Sequence, residues 1–189
     1  MMRPGFTDPV LDAQSCFRAV LEAMSRPGRV QRLASALAPP APLDAATAAV
    51  LLTLVDAETP LWLNAGVEAE EWVRFHCGCP IAATPAEAAF VLATATPPDL
   101  ASLPQGTDEE PEAGATLIWQ VAALEAGEGW RLSGPGIERE HRLRVGGAPE
   151  GFRAAWAARR GGYPRGVDVI LCAGQSIAAL PRTTRIEEG

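Results

Sequence analysis

The sequence predicts an α/β fold in which helices cover a mixed β-sheet. Segments with helical periodicity alternate with short apolar runs of β type, which is typical of this class. Two pairs of runs have the spacing of hairpins, which would add antiparallel strands to a parallel sheet. Hydrophobic residues make up 48% of the 189 residues, so a substantial core is available. We therefore expect a single α/β domain over residues 1–189.

The first predicted element is an amphipathic helix. Asp8 is a good N-cap residue, and Pro9 suits the first turn because its missing N–H is not needed there. Pro27 and Gly28 end the helix. Apolar residues recur at helical spacing on one face, which we expect to pack on the core: Val10, Ala13, Phe17, Val20, Leu21 and Met24.

Strands and helices then alternate as far as residue 93. Short strands are predicted at residues 29–33, 59–63 and 88–93, and helices at residues 44–56 and 66–76. The helix at 44–56 is apolar nearly all round, which predicts deep burial. The helix at 66–76 has acidic residues near its start, where they complement the helix dipole.

Residues 97–114 are rich in turn-forming and acidic residues, with the most acidic stretch at 108–112. This composition predicts a mobile loop. The runs on either side are both strand-like, so we expect the loop to be an excursion within one domain and not a domain boundary.

The C-terminal half is predicted to contain both hairpins. The first joins residues 115–124 to 130–132 across a turn at 125–129. The second joins residues 167–172 to 177–180 across a turn at 173–176. Between the hairpins, residues 149–160 predict a helix with Phe152 and Trp156 on one face, four residues apart.

Composition excludes several classes of function. The formal net charge is −7, which disfavours nucleic acid and anionic membrane surfaces as partners. All 16 basic residues are arginine, so no side-chain amine can form the Schiff base of a pyridoxal-phosphate enzyme, and no Walker A lysine exists. No leader pattern and no membrane-length apolar run is visible, which predicts a cytoplasmic protein with reduced thiols.

The clearest candidate binding segment lies near the C-terminus. Arg182, Thr184 and Arg185 place two guanidiniums and a hydroxyl close together in sequence, and Arg165 lies in the preceding loop. In an extended chain Arg182 and Thr184 would share a face, where they could clamp a phosphate, a phosphonate, a carboxylate or a partner protein. The alternatives are a solvated tail or an arginine bonded to carboxylates of the protein itself.

A second cluster is formed by His76, Cys77 and Cys79. These residue types can bind zinc, copper or part of an iron–sulfur cluster, or supply a cysteine nucleophile with a histidine base. The C-x-C spacing is tighter than the usual zinc half-site, however, and no second half-site follows. We therefore expect incidental thiols, no metal and no cofactor, with His76 as a weak candidate for a small-anion site.

Three segments resemble the PhnH family, a subunit of the bacterial carbon–phosphorus lyase machinery. They are residues 6–29, residues 164–171 (Pro-Arg-Gly-Val-Asp-Val-Ile-Leu) and residues 180–186 (Leu-Pro-Arg-Thr-Thr-Arg-Ile). Shorter similar stretches lie at residues 53–56, 59–62, 74–76 and 112–118. Cys77 and Cys79 depart from the family pattern.

The resemblance implies a fold like the large domain of pyridoxal-phosphate transferases, in a three-layer sandwich without the cofactor lysine. It implies a homodimer in isolation and assembly with the PhnG, PhnI and PhnJ subunits. It also implies a part in coupling a phosphonate to the ribose of ATP, together with PhnG, PhnI and PhnL, and it assigns no catalytic residue to this chain. We expect an accessory, scaffolding subunit; the alternatives are a stand-alone enzyme or a binding protein for a small phosphonate or phosphate.

Overall fold

The computed structural model describes residues 2–159 and 161–187. Within them the chain forms four α-helices: α1 (Pro9–Ser25), α2 (Ala45–Leu54), α3 (Val67–Cys77) and α4 (Phe152–Ala158). It also forms nine strands: β1 (Gln31–Arg32), β2 (Leu61–Leu63), β3 (Phe90–Ala93), β4 (Thr116–Gln120), β5 (Ala123–Ser133), β6 (His141–Gly146), β7 (Asp168–Ala173), β8 (Ser176–Leu180) and β9 (Arg185–Glu187). None of the described helices is long and apolar enough to cross a membrane.

The strands form two sheets. The larger sheet has the order β1-β8-β7-β4-β3-β2, in which β2, β3, β4 and β7 are parallel to one another, β8 is antiparallel to β7, and β1 is antiparallel to β8. The smaller sheet is antiparallel, with the order β6-β5-β9. The predicted α/β class with a mixed sheet is confirmed. The likeness to the large domain of pyridoxal-phosphate transferases stays a prediction.

Each face of the larger sheet has its own hydrophobic core. Along β7, Ile170 and Cys172 belong to the core shared with α1, α2 and α3. The alternate residues Val169 and Leu171 belong to the core shared with α4 and the smaller sheet. Since side chains alternate across a strand, the parallel strands are buried on both faces.

Helix α1 begins where the sequence predicts. The Asp8 side chain accepts hydrogen bonds from the backbone N–H groups of Val10 (3.1 Å) and Leu11 (3.0 Å), so it caps the helix as expected. The helix ends at Ser25, just before Pro27.

The predicted core face of α1 is confirmed only in part, by Val20, which is buried, and Met24, which packs against the core. The helix buries Cys16, Val20 and Ala23, whereas three residues of the predicted core face are exposed: Val10 (75% exposed), Phe17 (46%) and Leu21 (52%). The apolar stripe of this helix is wider than the part that α2 and β8 cover. Val10, Phe17 and Leu21 lie on the uncovered side.

The first predicted hairpin is wrong. Strand β4 stops at Gln120 in the larger sheet, and β5 runs unbroken from Ala123 to Ser133 in the smaller one. The glycines of the predicted turn form an irregular, bulged stretch where the register with β6 shifts. A Cβ on Gly129 would lie only 2.5 Å from the Leu143 carbonyl oxygen, so glycine here permits a close approach of β6. The second hairpin, β7–β8, is confirmed.

The acidic segment 97–114 connects the neighbouring strands β3 and β4. It contains two short 3₁₀ helices, Leu100–Ser102 and Pro111–Ala113. Leu100 and Leu103 are buried in the core on the α4 side, so the segment is packed on the domain, and its mobility stays a prediction. The helix predicted at 149–160 is shorter, as α4, and its predicted last residue lies outside the described residues.

Candidate functional site

Four arginines line a cavity of about 600 Å³ at the amino-terminal end of β7. Strand β8 ends beside this point, and a turn over residues 181–184 leads into β9. The wall includes Arg159, Arg165, Arg182 and Arg185, together with Tyr163 and Thr184. The structure therefore brings together Arg165, Arg182, Thr184 and Arg185, the four residues that the sequence selected as binding candidates.

Arg182 is bonded to the protein itself. Its Nε and Nη2 donate to the Asp168 carboxylate, with Nη2 at 2.7 Å from Oδ2. Its Nη1 donates to the carbonyl oxygens of Pro111 (2.6 Å) and Pro164 (3.2 Å). Both charged side chains are mostly buried. Arg182 thus matches the alternative of an arginine bonded to protein carboxylates, and its bonds hold the turn in place.

The segment after Leu180 is not extended, although the prediction that Arg182 and Thr184 share a face assumed an extended chain. The Thr184 N–H donates to the Pro181 carbonyl at 2.8 Å, which closes a turn. Because the chain reverses direction in this turn, residues 182–185 all line one cavity, whereas in an extended chain their side chains would point alternately to two faces.

Arg159, at the C-terminal end of α4, is the residue that sequence reasoning missed. Its guanidinium lies over the Trp156 ring, 4.8 Å from the ring centroid, and its Nη2 donates to the Val167 carbonyl at 2.9 Å. Its Nε and Nη1 are buried without a hydrogen-bond partner among the described residues. Burial lowers the pKa of Arg159. The negative charge of Asp168 raises this pKa and the positive charge of Arg182 lowers it, but an arginine in a protein stays charged.

Thr184 presents a second unused polar group. The residue is 4% exposed, and its hydroxyl is buried with no partner within the described chain. Its carbonyl oxygen accepts from Trp156 Nε1 at 2.8 Å, which ties the turn to α4. The same tryptophan therefore positions both Arg159 and Thr184.

The cavity is positively charged in an otherwise acidic protein. Arg165 pairs with Asp108 at 3.2 Å, Arg182 pairs with Asp168, and Glu187 at the wall pairs with Arg131. In the part of the chain that the structure describes, Arg159 and Arg185 have no carboxylate partner. These two guanidiniums and the buried Thr184 hydroxyl are hydrogen-bond donors suited to an oxyanion.

Comparison with known proteins places the chain in a family. The sequence model of the family described as "Bacterial phosphonate metabolism protein (PhnH)" matches residues 4–187. The chain belongs to the PhnH family. It is 41% identical, over 96% of its length, to the alpha-D-ribose 1-methylphosphonate 5-triphosphate synthase subunit PhnH of Rhizobium meliloti (strain 1021), covering 94% of that protein.

A second relative carries a different name. The chain is 38% identical over 176 residues to the protein HtxG of Stutzerimonas stutzeri, whose name describes it as a putative subunit of a C-P lyase. The match covers 92% of this chain and 85% of HtxG. The resemblance to the PhnH family that the three sequence segments carry is confirmed.

His76 of this PhnH-family chain lies on the opposite face of the larger sheet from the arginine cavity. Its Nε2 lies 3.0 Å from the Arg3 carbonyl oxygen, which also accepts from Trp72 Nε1 at 2.9 Å. The imidazole packs against the Trp72 ring, with centroids 4.7 Å apart. His76 therefore anchors the N-terminal segment and does not join the arginines.

Cys77 and Cys79 are free thiols at the end of α3. The pKa of Cys77 is raised to about 12, mainly by burial and to a smaller extent by charge repulsion from Cys79 and Asp56. Within residues 2–159 and 161–187, no group of three or more histidine, cysteine, aspartate or glutamate side chains is arranged to hold a metal ion.

At the carboxyl end of β4, in the region where α/β proteins commonly bind ligands, the Gln120 side chain is used in internal hydrogen bonds. Gln120 at the end of β4 accepts from the Asp44 N–H (2.7 Å) and from the Thr47 hydroxyl (2.8 Å). Its amide donates to the Pro42 carbonyl at 2.7 Å. Among the described residues, three of the four buried side-chain atoms without a hydrogen-bond partner belong to Arg159 and Thr184, which line the arginine cavity at the other end of the strands.

Proposed function

We propose that this chain is a subunit of the enzyme complex that makes alpha-D-ribose 1-methylphosphonate 5-triphosphate, and so of the carbon–phosphorus lyase system. The observation that carries this is the 41% identity to a subunit of that synthase, because it extends over nearly the full length of both chains. Its part in phosphonate metabolism follows from the same relationship.

The proposed role is accessory and scaffolding. Together with PhnG, PhnI and PhnL, the chain would support the step in which a phosphonate is joined to the ribose of ATP. PhnG, PhnI and PhnJ are the proposed neighbours in the assembly, and in isolation we propose a homodimer. The arginine cavity supports a role in binding an anionic group of a ligand or a partner. Its wall offers hydrogen-bond donors, and the carboxylate of Glu187 on that wall is already paired with Arg131.

The exposed apolar side of α1 also supports assembly with another protein. Val10, Phe17 and Leu21 lie seven and four residues apart, so they share one side of the helix. Grouped apolar side chains in solvent are typical of interaction surfaces. We propose that this α1 surface is buried against another subunit of the complex.

Size-exclusion chromatography of the chain mixed with PhnG, PhnI and PhnJ tests the proposal. We expect a single species that contains all four proteins, and no turnover of ATP and methylphosphonate by the chain alone. Clean separation of the chain at micromolar concentration in mild salt would contradict the role as a subunit. Robust turnover by the isolated chain would contradict the accessory role.

A further inference from the structure

We infer that the arginine cavity binds an organic phosphate or phosphonate, with Arg159, Thr184 and Arg185 as the groups that contact its oxyanion. The site itself is inferred from the geometry of this chain. The choice of phosphonates among the ligands to be tested rests on the proposed function.

The unused hydrogen-bond donors are concentrated in this cavity. Buried side-chain polar atoms in folded proteins nearly always have a hydrogen-bond partner, because leaving one without a partner is costly. Among the described residues four such atoms have none, and three of them belong to Arg159 and Thr184. Both residues line the same cavity, and an oxyanion seated there is the partner that we infer for them.

The charge of the cavity matches a dianion. Of the four arginines at the wall, Arg165 and Arg182 are paired with carboxylates. Arg159 and Arg185 are left without a carboxylate among the described residues, so the cavity has an excess of about two positive charges. A phosphate monoester or a phosphonate carries up to two negative charges near neutral pH, which balances this excess.

The shape and size of the cavity suit a tetrahedral group with an organic substituent. The donors come from three places, the end of α4, the turn at 181–184 and the start of β9, which suits a group with three oxygens better than a planar carboxylate with two. The cavity of about 600 Å³ lies within the usual range of ligand pockets, about 300–1,000 Å³. Tyr163, 75% exposed at the wall, is available to the organic part of the ligand.

Isothermal titration calorimetry on the full chain tests the inference with methylphosphonate, ATP and acetate as the probes. Methylphosphonate or ATP should bind saturably, and acetate should not. Because a hydrogen bond to a charged group is strong, Arg159→Gln should weaken binding by about tenfold or more. The matched control is Arg144→Gln, which removes an equally charged but exposed side chain on β6 that is paired with Glu125, and it should leave affinity unchanged.

Two further variants guard against loss of the fold. Arg185→Gln changes an exposed side chain, so it tests the charge without touching the core. Thr184→Val removes a buried hydroxyl that has no partner among the described residues, so stability should hold or rise while affinity falls by about two- to tenfold. If Thr184 had only a structural role, stability and affinity would fall together.

The inference is overturned if neither methylphosphonate nor ATP binds at millimolar concentrations, to the isolated chain or to its complex with PhnG, PhnI and PhnJ. It is also overturned if acetate binds equally well, or if Arg144→Gln weakens binding as much as Arg159→Gln. If the four proteins elute together but no anion binds, the site is wrong and the proposed function stands. If the anion binds but the four proteins do not assemble, the site stands and the proposed function is wrong.

Discussion

Replacing Arg182 by methionine tests whether this residue holds the C-terminal turn to the larger sheet. The substitution keeps a long, unbranched side chain but removes the guanidinium from the Asp168 carboxylate and from the carbonyls of Pro111 and Pro164. The two charged side chains are only 14% and 18% exposed, so the carboxylate that remains cannot be fully solvated.

Removing one partner of a buried ion pair costs about 3–5 kcal/mol of unfolding free energy. For a chain of this length each kcal/mol corresponds to about 2–4 °C, so the melting temperature should fall by about 6–20 °C. The matched control is Arg165→Met, whose pair with Asp108 is 52% and 68% exposed. An exposed pair contributes about 0–1 kcal/mol, so the control should melt nearly as the unmodified chain does.

The assay is urea denaturation followed by tryptophan fluorescence, with a thermal scan on the same variants. Asp168→Asn should be destabilised in the same range as Arg182→Met, because it leaves the guanidinium without its anion. The double variant should lose less than the sum of the two single losses. Equal losses for Arg182→Met and Arg165→Met would refute the assignment of Arg182 as a structural anchor.

Three further predictions concern other parts of the molecule. The pKa of Cys77 is raised to about 12, mainly by burial, so its thiolate should be scarce at neutral pH. Its reaction with Ellman's reagent should therefore be slow and should become faster only as the pH rises. Rapid labelling at neutral pH would contradict this. A Cβ on Gly114 would lie 2.3 Å from the Gly166 carbonyl oxygen, so Gly114→Ala should lower the free energy of unfolding, measured in urea, by about 1–3 kcal/mol. Gly151→Ala is the control: its Cβ would lie in open space, so it should change the free energy of unfolding by less than about 0.5 kcal/mol. Phe17→Ser should lower the free energy of unfolding by less than about 1.5 kcal/mol, because nearly half of that side chain is in water. It should nevertheless weaken co-elution with PhnG, PhnI and PhnJ. Unchanged co-elution would count against the proposed interaction surface on α1.

Much of the local structure was predictable because it depends on neighbours in the chain. The Asp8 cap, the end of α1 before Pro27 and the β7–β8 hairpin all follow from residue types within a few positions of one another. The glycines around Gly129 misled the prediction, since glycine serves a turn and a bulge equally well. Only the close approach of β6 distinguishes the two cases.

The candidate site was partly predictable for the same reason. Arg182, Thr184 and Arg185 are close in sequence, so their grouping was visible in it. Arg159 was missed because no neighbouring residue marks it as partly buried, although Trp156 three residues earlier is a signal for a cation held over an aromatic ring.

The amino-acid order alone determined the α/β class, the membership in the PhnH family and the absence of lysine chemistry, because these depend on composition and on short patterns. Only the tertiary structure decided which arginines are paired, since the contacts that settle it join residues far apart, as from Arg182 to Pro111. It also decided which side of α1 stays in solvent. Whether a residue is buried depends on the elements that pack against it, and the periodic pattern of one helix does not show which elements those are.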